Sequence, residues 1–191
     1  MLRITRPAID VRAIGAISCF ITTFGIYLLT LAPTVQGFDS AELTVGAYAL
    51  GFVHPPGYPL YMLLGHWFVQ LPVGDVGFRL NLMSAIFGGL TTLVLYVLVF
   101  EYSRDGPASF VATLLFATEP VFWSQAIRAE VYTLQTFLMV GALLAWWYAY
   151  RYERLDAYLA CFVLLGIGLA HHLTTVLLWV SVLICSIGMK G

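Results

Sequence analysis

The chain has 191 residues, 61% hydrophobic and only 10% charged, with a formal net charge of −1 and a mean hydropathy of +0.89. A soluble domain carries about 25% charged residues, so this composition excludes an ordinary water-soluble fold and places the bulk of the protein in lipid. No basic patch supports nucleic-acid binding, and Cys19, Cys161 and Cys185 lie singly in apolar segments, in neither a disulfide framework nor a zinc spacing.

A membrane-spanning helix needs about 20 mostly apolar residues. The first such run covers residues 13–32. The preceding MLRITRPAIDVR imitates a secretory signal, but the run is long enough to span and no small-x-small cleavage site follows, so it reads as an uncleaved first membrane helix. Residues 37–59, GFDSAELTVGAYALGFVHPPGYP, are polar and proline-rich between apolar neighbours. They set Asp39, Glu42 and His54 at the edge of a bilayer, where charged groups are costly unless they face water, a partner or a substrate. Residues 58–71 are apolar but too short to cross, which predicts a helix lying in the interface or re-entering the bundle. Residues 79–101 form a second span. A third starts at Pro107 and runs to about residue 125, interrupted at Glu119-Pro120. A fourth covers 131–150, and a fifth (157–170) and sixth (173–187) are separated by His171-His172. The prediction is one all-α integral-membrane domain over residues 1–191, with about six transmembrane helices and an interfacial helix in the first extracytoplasmic loop, which covers about residues 33–78.

Basic residues set the orientation. With the N-terminus in the cytoplasm, Arg3, Arg6, Arg12, Arg104, Arg151, Arg154 and Lys190 fall on one side, and only Arg79 and Arg128 on the other. The acids and histidines of the loops (Asp39, Glu42, His54, Glu130, His171, His172) then gather at the extracytoplasmic face.

Asp39 and Glu42 are three apart and share a helix face. Either they form a helix start, with Asp39 or Ser40 as cap and the dipole favouring both acids, or partial desolvation prepares a carboxylate for general-base work. Three prolines and a glycine in residues 54–59 fix the backbone, which serves either as a rigid lead into the next helix or to hold His54 and Tyr58 against a bound group. Arg128 has two readings as well: an ion pair with Glu130, or a guanidinium fork for a lipid-linked phosphate. The aromatics Phe122, Trp123 and Tyr132 suit the interfacial belt. His171 and His172 could face one ligand only if the local backbone leaves the helix, and hydrogen bonding to the bundle or to a phosphate is favoured over a metal. No P-loop, HExxH or GxSxG pattern is present.

The segments APTVQGFDSAEL, GAYALGFVHPPGYPLYMLLGHWF, NLMSA, EPVFWSQAIRAEVYTLQ and GLAHHLTT together resemble the N-terminal part of the membrane protein O-mannosyltransferase-like family, polytopic glycosyltransferases of the GT-C class. The resemblance covers nearly the whole chain. It implies a GT-C fold and transfer of a sugar, mannose or another hexose, from a polyprenyl-phosphate carrier to an extracytoplasmic acceptor hydroxyl, with inversion at the anomeric carbon. By the same resemblance Asp39 takes the position of the loop acid and is the expected general base, and Glu42 supports it. His54, Tyr58, Arg128, Glu130, His171 and His172 are expected to contact donor phosphate or sugar. No metal ligand set is assigned, although a divalent metal is compatible with such enzymes. Family members are usually longer, so a carrier groove would be completed by helices beyond this chain. The expected partners are a lipid-linked sugar donor, membrane lipid and a protein or glycan acceptor, in the plasma (inner) membrane of a bacterium or the endoplasmic reticulum of a eukaryote. The alternative functions are a non-catalytic membrane module that binds a lipid-linked glycan or partner subunit, and a transporter. Transporters place polar groups near the bilayer midplane in repeated halves, which this chain does not show.

Overall fold

A computed structural model describes residues 11–188, and these fold entirely as helices and their connections. Arg3, Arg6 and Lys190, counted above for orientation, lie outside the described residues. The helices are α1 Val11–Leu29, α2 Asp39–Ala49, α3 Pro59–Phe68, α4 Val76–Ser103, α5 Gly106–Ala117, α6 Pro120–Ala126, α7 Tyr132–Tyr152, α8 Leu155–His171 and α9 Thr175–Gly188.

Most predicted segments appear with boundaries shifted by a few residues. The predicted third span is two helices, because Pro120 starts α6 and Glu119 caps it, its side chain accepting from the Phe122 N–H at 3.0 Å. Residues 39–49 form a helix of their own ahead of α3. Neither Asp39 nor Ser40 caps that helix: the capping position belongs to Phe38, at φ 60°, and Asp39 opens the first turn. Among the described residues, α1 and α4 are the helices both long and apolar enough to cross a membrane; α5, α8 and α9 are apolar but shorter.

α4 is the central post, packed against α1, α5 and α7, while α8 lies on α7 and α9 beside both. α1 and α4 run antiparallel. Their buried threonines bond across the interface, Thr23 Oγ1 to Thr92 Oγ1 at 2.8 Å, and the Tyr27 hydroxyl donates to the Ala117 carbonyl at 2.8 Å. Such bonds leave these buried hydroxyls satisfied within the bundle. At the start of α4, a Cβ on Gly77 would lie 2.2 Å from the Val35 backbone nitrogen, so only glycine lets the segment after α1 cross α4 there.

This connectivity sorts the polar groups to two ends. One end holds the start of α1, the end of α4, the end of α7 and the start of α8, with Arg12, Glu101, Arg104, Arg151 and Arg154. The opposite end holds α2, α3, α6 and the α8–α9 junction, with Asp39, Glu42, His54, Arg128, Glu130, His171 and His172.

Candidate functional site

The site-bearing loops are held by polar side chains of α4. Asn81 is fully buried, and its Nδ2 donates to the carbonyls of Ala32 (2.8 Å) and Thr34 (3.0 Å) while its Oδ1 accepts from the Ala129 N–H (2.7 Å). One side chain therefore ties the segment after α1 to the segment before α7. One turn on, Ser84 Oγ accepts from the Glu130 N–H at 3.2 Å. Asp75 caps α4 by accepting from the Phe78 N–H at 2.7 Å and also accepts from the Thr34 hydroxyl. Arg79 donates to the carbonyls of Val69 (2.6 Å), Val73 (2.8 Å) and Gly74 (3.1 Å), closing the α3–α4 turn. His66 Nδ1 lies 3.0 Å from the Ala47 carbonyl and joins α3 to α2.

On this frame Glu42 and His54 grip each other. The His54 N–H donates to Glu42 Oε1 at 2.7 Å and its Nδ1 lies 2.7 Å from Glu42 Oε2, so both carboxylate oxygens are engaged. The side-chain bond chiefly holds Glu42 below the usual carboxylate range and raises His54 above the usual histidine value. His54 Nε2 in turn meets the Tyr58 hydroxyl at 3.0 Å. Tyr58 can aim at it because Gly57 takes φ 87° and Tyr58 itself sits in the left-handed region at φ 43°, ψ 54°. That conformation is costly for a bulky residue and points to a constrained role. Burial raises the Tyr58 phenol above its ordinary value.

Asp39 stands one helical turn before Glu42, exposed, and among the described residues its carboxylate has no hydrogen-bond or ion-pair partner. One ligand atom from each of Asp39, Glu42 and His54 lies within 4.8 Å of the others. A divalent cation that took His54 Nδ1 as a ligand would displace its 2.7 Å bond to Glu42.

The far wall comes from the α6–α7 and α8–α9 junctions. Arg128 Nη2 lies 3.3 Å from Glu130 Oε1, and Glu130 is 6% exposed, its burial raising its pKa despite Arg128. Its charge acts on His54 and Tyr58, which places it beside the same site. His171 ends α8 fully buried, its Nε2 bonded to the Val131 carbonyl at 3.2 Å. His172 leaves the helix at φ −150°, ψ 130°, the non-helical step the adjacent pair requires if both rings are to face one group. Both rings meet Tyr58, His172 stacked at 5.7 Å and His171 edge-on at 6.1 Å. His172 Nδ1 accepts from the Thr174 N–H at 3.2 Å, which leaves the ring proton on Nε2 as a donor. Burial lowers the His172 pKa, keeping the ring neutral.

The fold thus brings together all eight residues singled out from the sequence. Sequence reasoning missed Tyr132, whose ring lies 5.8 Å from that of His172 and which reads in sequence as one more interfacial aromatic. It also missed Asn81 and Ser84 as supports, although a polar asparagine inside an apolar span was a visible signal. Glu119 and Asp75, acids of the same end, serve as helix caps instead.

A family model described as the protein O-mannosyl-transferase TMEM260 N-terminal domain matches residues 39–190, which include every residue of this site. A Mus musculus protein named Protein O-mannosyl-transferase TMEM260 is 36% identical over 132 residues, 69% of this chain and 19% of that protein. A Dictyostelium discoideum protein named Protein O-mannosyl-transferase tmem260 is 30% identical over 176 residues, 83% of this chain and 21% of that protein. The chain therefore spans about a fifth of the length of these relatives. No solved structure matches it. The match over most of its length shows that the chain belongs to the protein O-mannosyl-transferase TMEM260 N-terminal domain family.

Proposed function

We propose that this chain is the catalytic-loop portion of an integral-membrane, GT-C-like glycosyltransferase that moves mannose from a polyprenyl-phosphate carrier to an acceptor hydroxyl on a protein or glycan. The relatives' printed names support mannosyl transfer. The observation that carries the site assignment is the unpartnered Asp39 carboxylate beside a Glu42–His54 pair whose oxygens are already taken. Six crossings are proposed, through α1, α4, the α5–α6 pair, α7, α8 and α9. The arginine-rich end faces the cytoplasm and the site faces outward, at the plasma membrane of a bacterium or the endoplasmic reticulum of a eukaryote. Phe38 and Phe52, fully or nearly fully exposed, and Trp67, 77% exposed, suit α2 and α3 to the bilayer interface.

In this reading Asp39 accepts the proton of the acceptor hydroxyl. The hydroxyl oxygen then forms a bond to the anomeric carbon from the face opposite the carrier. The bond from that carbon to the phosphate oxygen breaks, its electron pair leaves with polyprenyl phosphate, and the configuration inverts. Arg128 and the His172 Nε2–H face the phosphate as cation and neutral donor. Glu130 and Tyr58 hydrogen-bond sugar hydroxyls, and Glu42 holds His54 in place.

The test is transfer of radiolabelled mannose from polyprenyl-phosphate mannose by membranes carrying the chain, beside Asp39→Asn at equal abundance. Transfer that disappears only in the variant supports the reading, and transfer that persists removes Asp39 from the base role. Binding of the labelled donor without transfer in either would favour a non-catalytic module that holds a lipid-linked glycan.

A further inference from the structure

The junction between α8 and α9 is tied to the start of α7 by two buried polar rungs. In the first, the His171 ring donates from Nε2 to the Val131 carbonyl at 3.2 Å. In the second, four residues further along on each side, the Gln135 amide donates to Thr175 Oγ1 at 2.6 Å. All four residues are buried, His171 completely. The approach is close because residue 168 is glycine: a Cβ there would lie 3.1 Å from both Thr175 Oγ1 and Cγ2. Between the rungs the chain leaves the helix at His172, whose N–H still donates to the Gly168 carbonyl at 2.8 Å. Its ring then meets Tyr58 at 5.7 Å and Tyr132 at 5.8 Å.

We infer that the two rungs form a latch that positions the His172 ring against Tyr58 for the donor phosphate, with His171, Gln135 and Thr175 as positioning residues. At 0%, 4% and 1% exposure these three are shut off from a bound donor, whereas His172 is not. Joining the helices this way is not the cheapest solution. His171 Nδ1 and Gln135 Oε1 are buried with no hydrogen-bond partner among the described residues, and an orphaned buried polar atom is costly. Apolar side chains of similar shape would fill the space without that cost. What the hydrogen bonds add is register, because their narrow geometry fixes the height and rotation of the junction against α7. His172 follows the first rung by one residue and precedes the second by three, so a slip of the junction moves its ring. The inference rests on the donor-phosphate role given to His172 above, but the placement of the ring can be measured without a donor.

The test is proton NMR of the histidine rings of the full chain in detergent micelles, together with binding of radiolabelled polyprenyl-phosphate mannose. Stacking on Tyr58 should shift the His172 ring protons upfield, and His54, edge-on to Tyr58 at 5.2 Å, serves as the reference. The double substitution Gln135→Leu with Thr175→Val removes both partners of one rung, so neither is left orphaned. It should keep the wild-type thermal midpoint and the His54 signals, yet lose the His172 upfield shift. Donor binding should weaken about tenfold, the loss expected for one hydrogen bond to a charged group. His171→Leu removes the other rung and should lose the same shift. The conservative Thr175→Ser keeps the accepting hydroxyl and should retain it. A His172 shift absent from the wild type, or unchanged in both rung variants, overturns the latch. So does a loss shared by His54 with a lowered midpoint, or shared by Thr175→Ser, since either reports general loosening. Donor binding that is unchanged where the shift is lost overturns the latch's role for the donor. A wild-type chain that shows the shift, loses it only in the rung variants and binds no donor would keep the latch and overturn the donor-site reading instead.

Discussion

The two ends of this bundle are each built around a carboxylate, and they treat it in opposite ways. Glu101 is buried, accepts from Arg12 on α1 and from Tyr148 and Tyr152 on α7, and is ion-paired with Arg104 just after α4, so its charge is spent on joining helices. Asp39 is exposed and has no partner among the described residues, while the groups around it are locked to one another. A satisfied buried acid holds structure together. An unsatisfied acid inside a rigid rim is available for a proton, and on the proposed reading that end does the chemistry.

The contrast can be broken most severely at Glu101. Glu101→Gln removes the buried carboxylate that Arg12, Tyr148 and Tyr152 hydrogen-bond and should cost about 3 kcal/mol, the upper end for hydrogen bonds to a charged group, since Arg12 and Arg104 keep access to water at 38% and 55% exposure. Thermal unfolding in detergent would measure this. Asp39→Asn, on an exposed unpartnered group, should change the same measurement by no more than about 0.5 kcal/mol. Next comes Asn81→Leu, which leaves the Ala129 N–H and two carbonyls unpaired and should cost about 2–3 kcal/mol. Because Asn81 positions the loop before α7, the variant should also weaken donor binding while touching no donor. Tyr58→Phe is milder: it removes one hydroxyl from the chain that ends at His54 and should cost about 1 kcal/mol, read as a stability loss or a comparable rise in KM.

The smallest effect is on pH dependence. Glu42 has a lowered pKa, so its contribution to stability is full above the ordinary value of 4.5 and is lost as pH falls through the lowered one. His54 has a raised pKa, so its contribution is full below the ordinary value of 6.5 and is lost as pH rises through the raised one. The pair should therefore stabilise α2 and the loop 50–58 most between those two values. Glu42→Gln should flatten that part of the unfolding profile, and a profile unchanged by the substitution would contradict the pairing.

Much of the site was legible in sequence because costly residues stood out against an apolar background. Asp39, Glu42, His54 and the His171-His172 pair could be named from composition and spacing, and Pro120 announced the break in the third apolar segment. What stayed hidden was long-range. Arg12 and Glu101 are 89 positions apart, and nothing local to either predicts their meeting. Asn81 joins two segments 48 residues or so from itself, and the role needs both loops to be seen at once. The start of α2 was misread for a local reason: Asp39 and Ser40 are good caps by type, but the chain turns at Phe38 and frees the Asp39 side chain. The rigid HPPGYP run could be read as fixed, whereas its use, holding Tyr58 between His54 and His172, required the α8–α9 junction to be in place.

The most direct test of the account compares mannose transfer by Asp39→Asn and Glu42→Gln at equal membrane abundance. Loss of a general base lowers the rate by about 10²–10⁴-fold, so Asp39→Asn should fall by that factor. Glu42→Gln, which only loosens His54, should retain a measurable fraction. If Glu42→Gln abolishes transfer while Asp39→Asn retains it, the base is Glu42 and the assignment of the unpartnered acid is wrong.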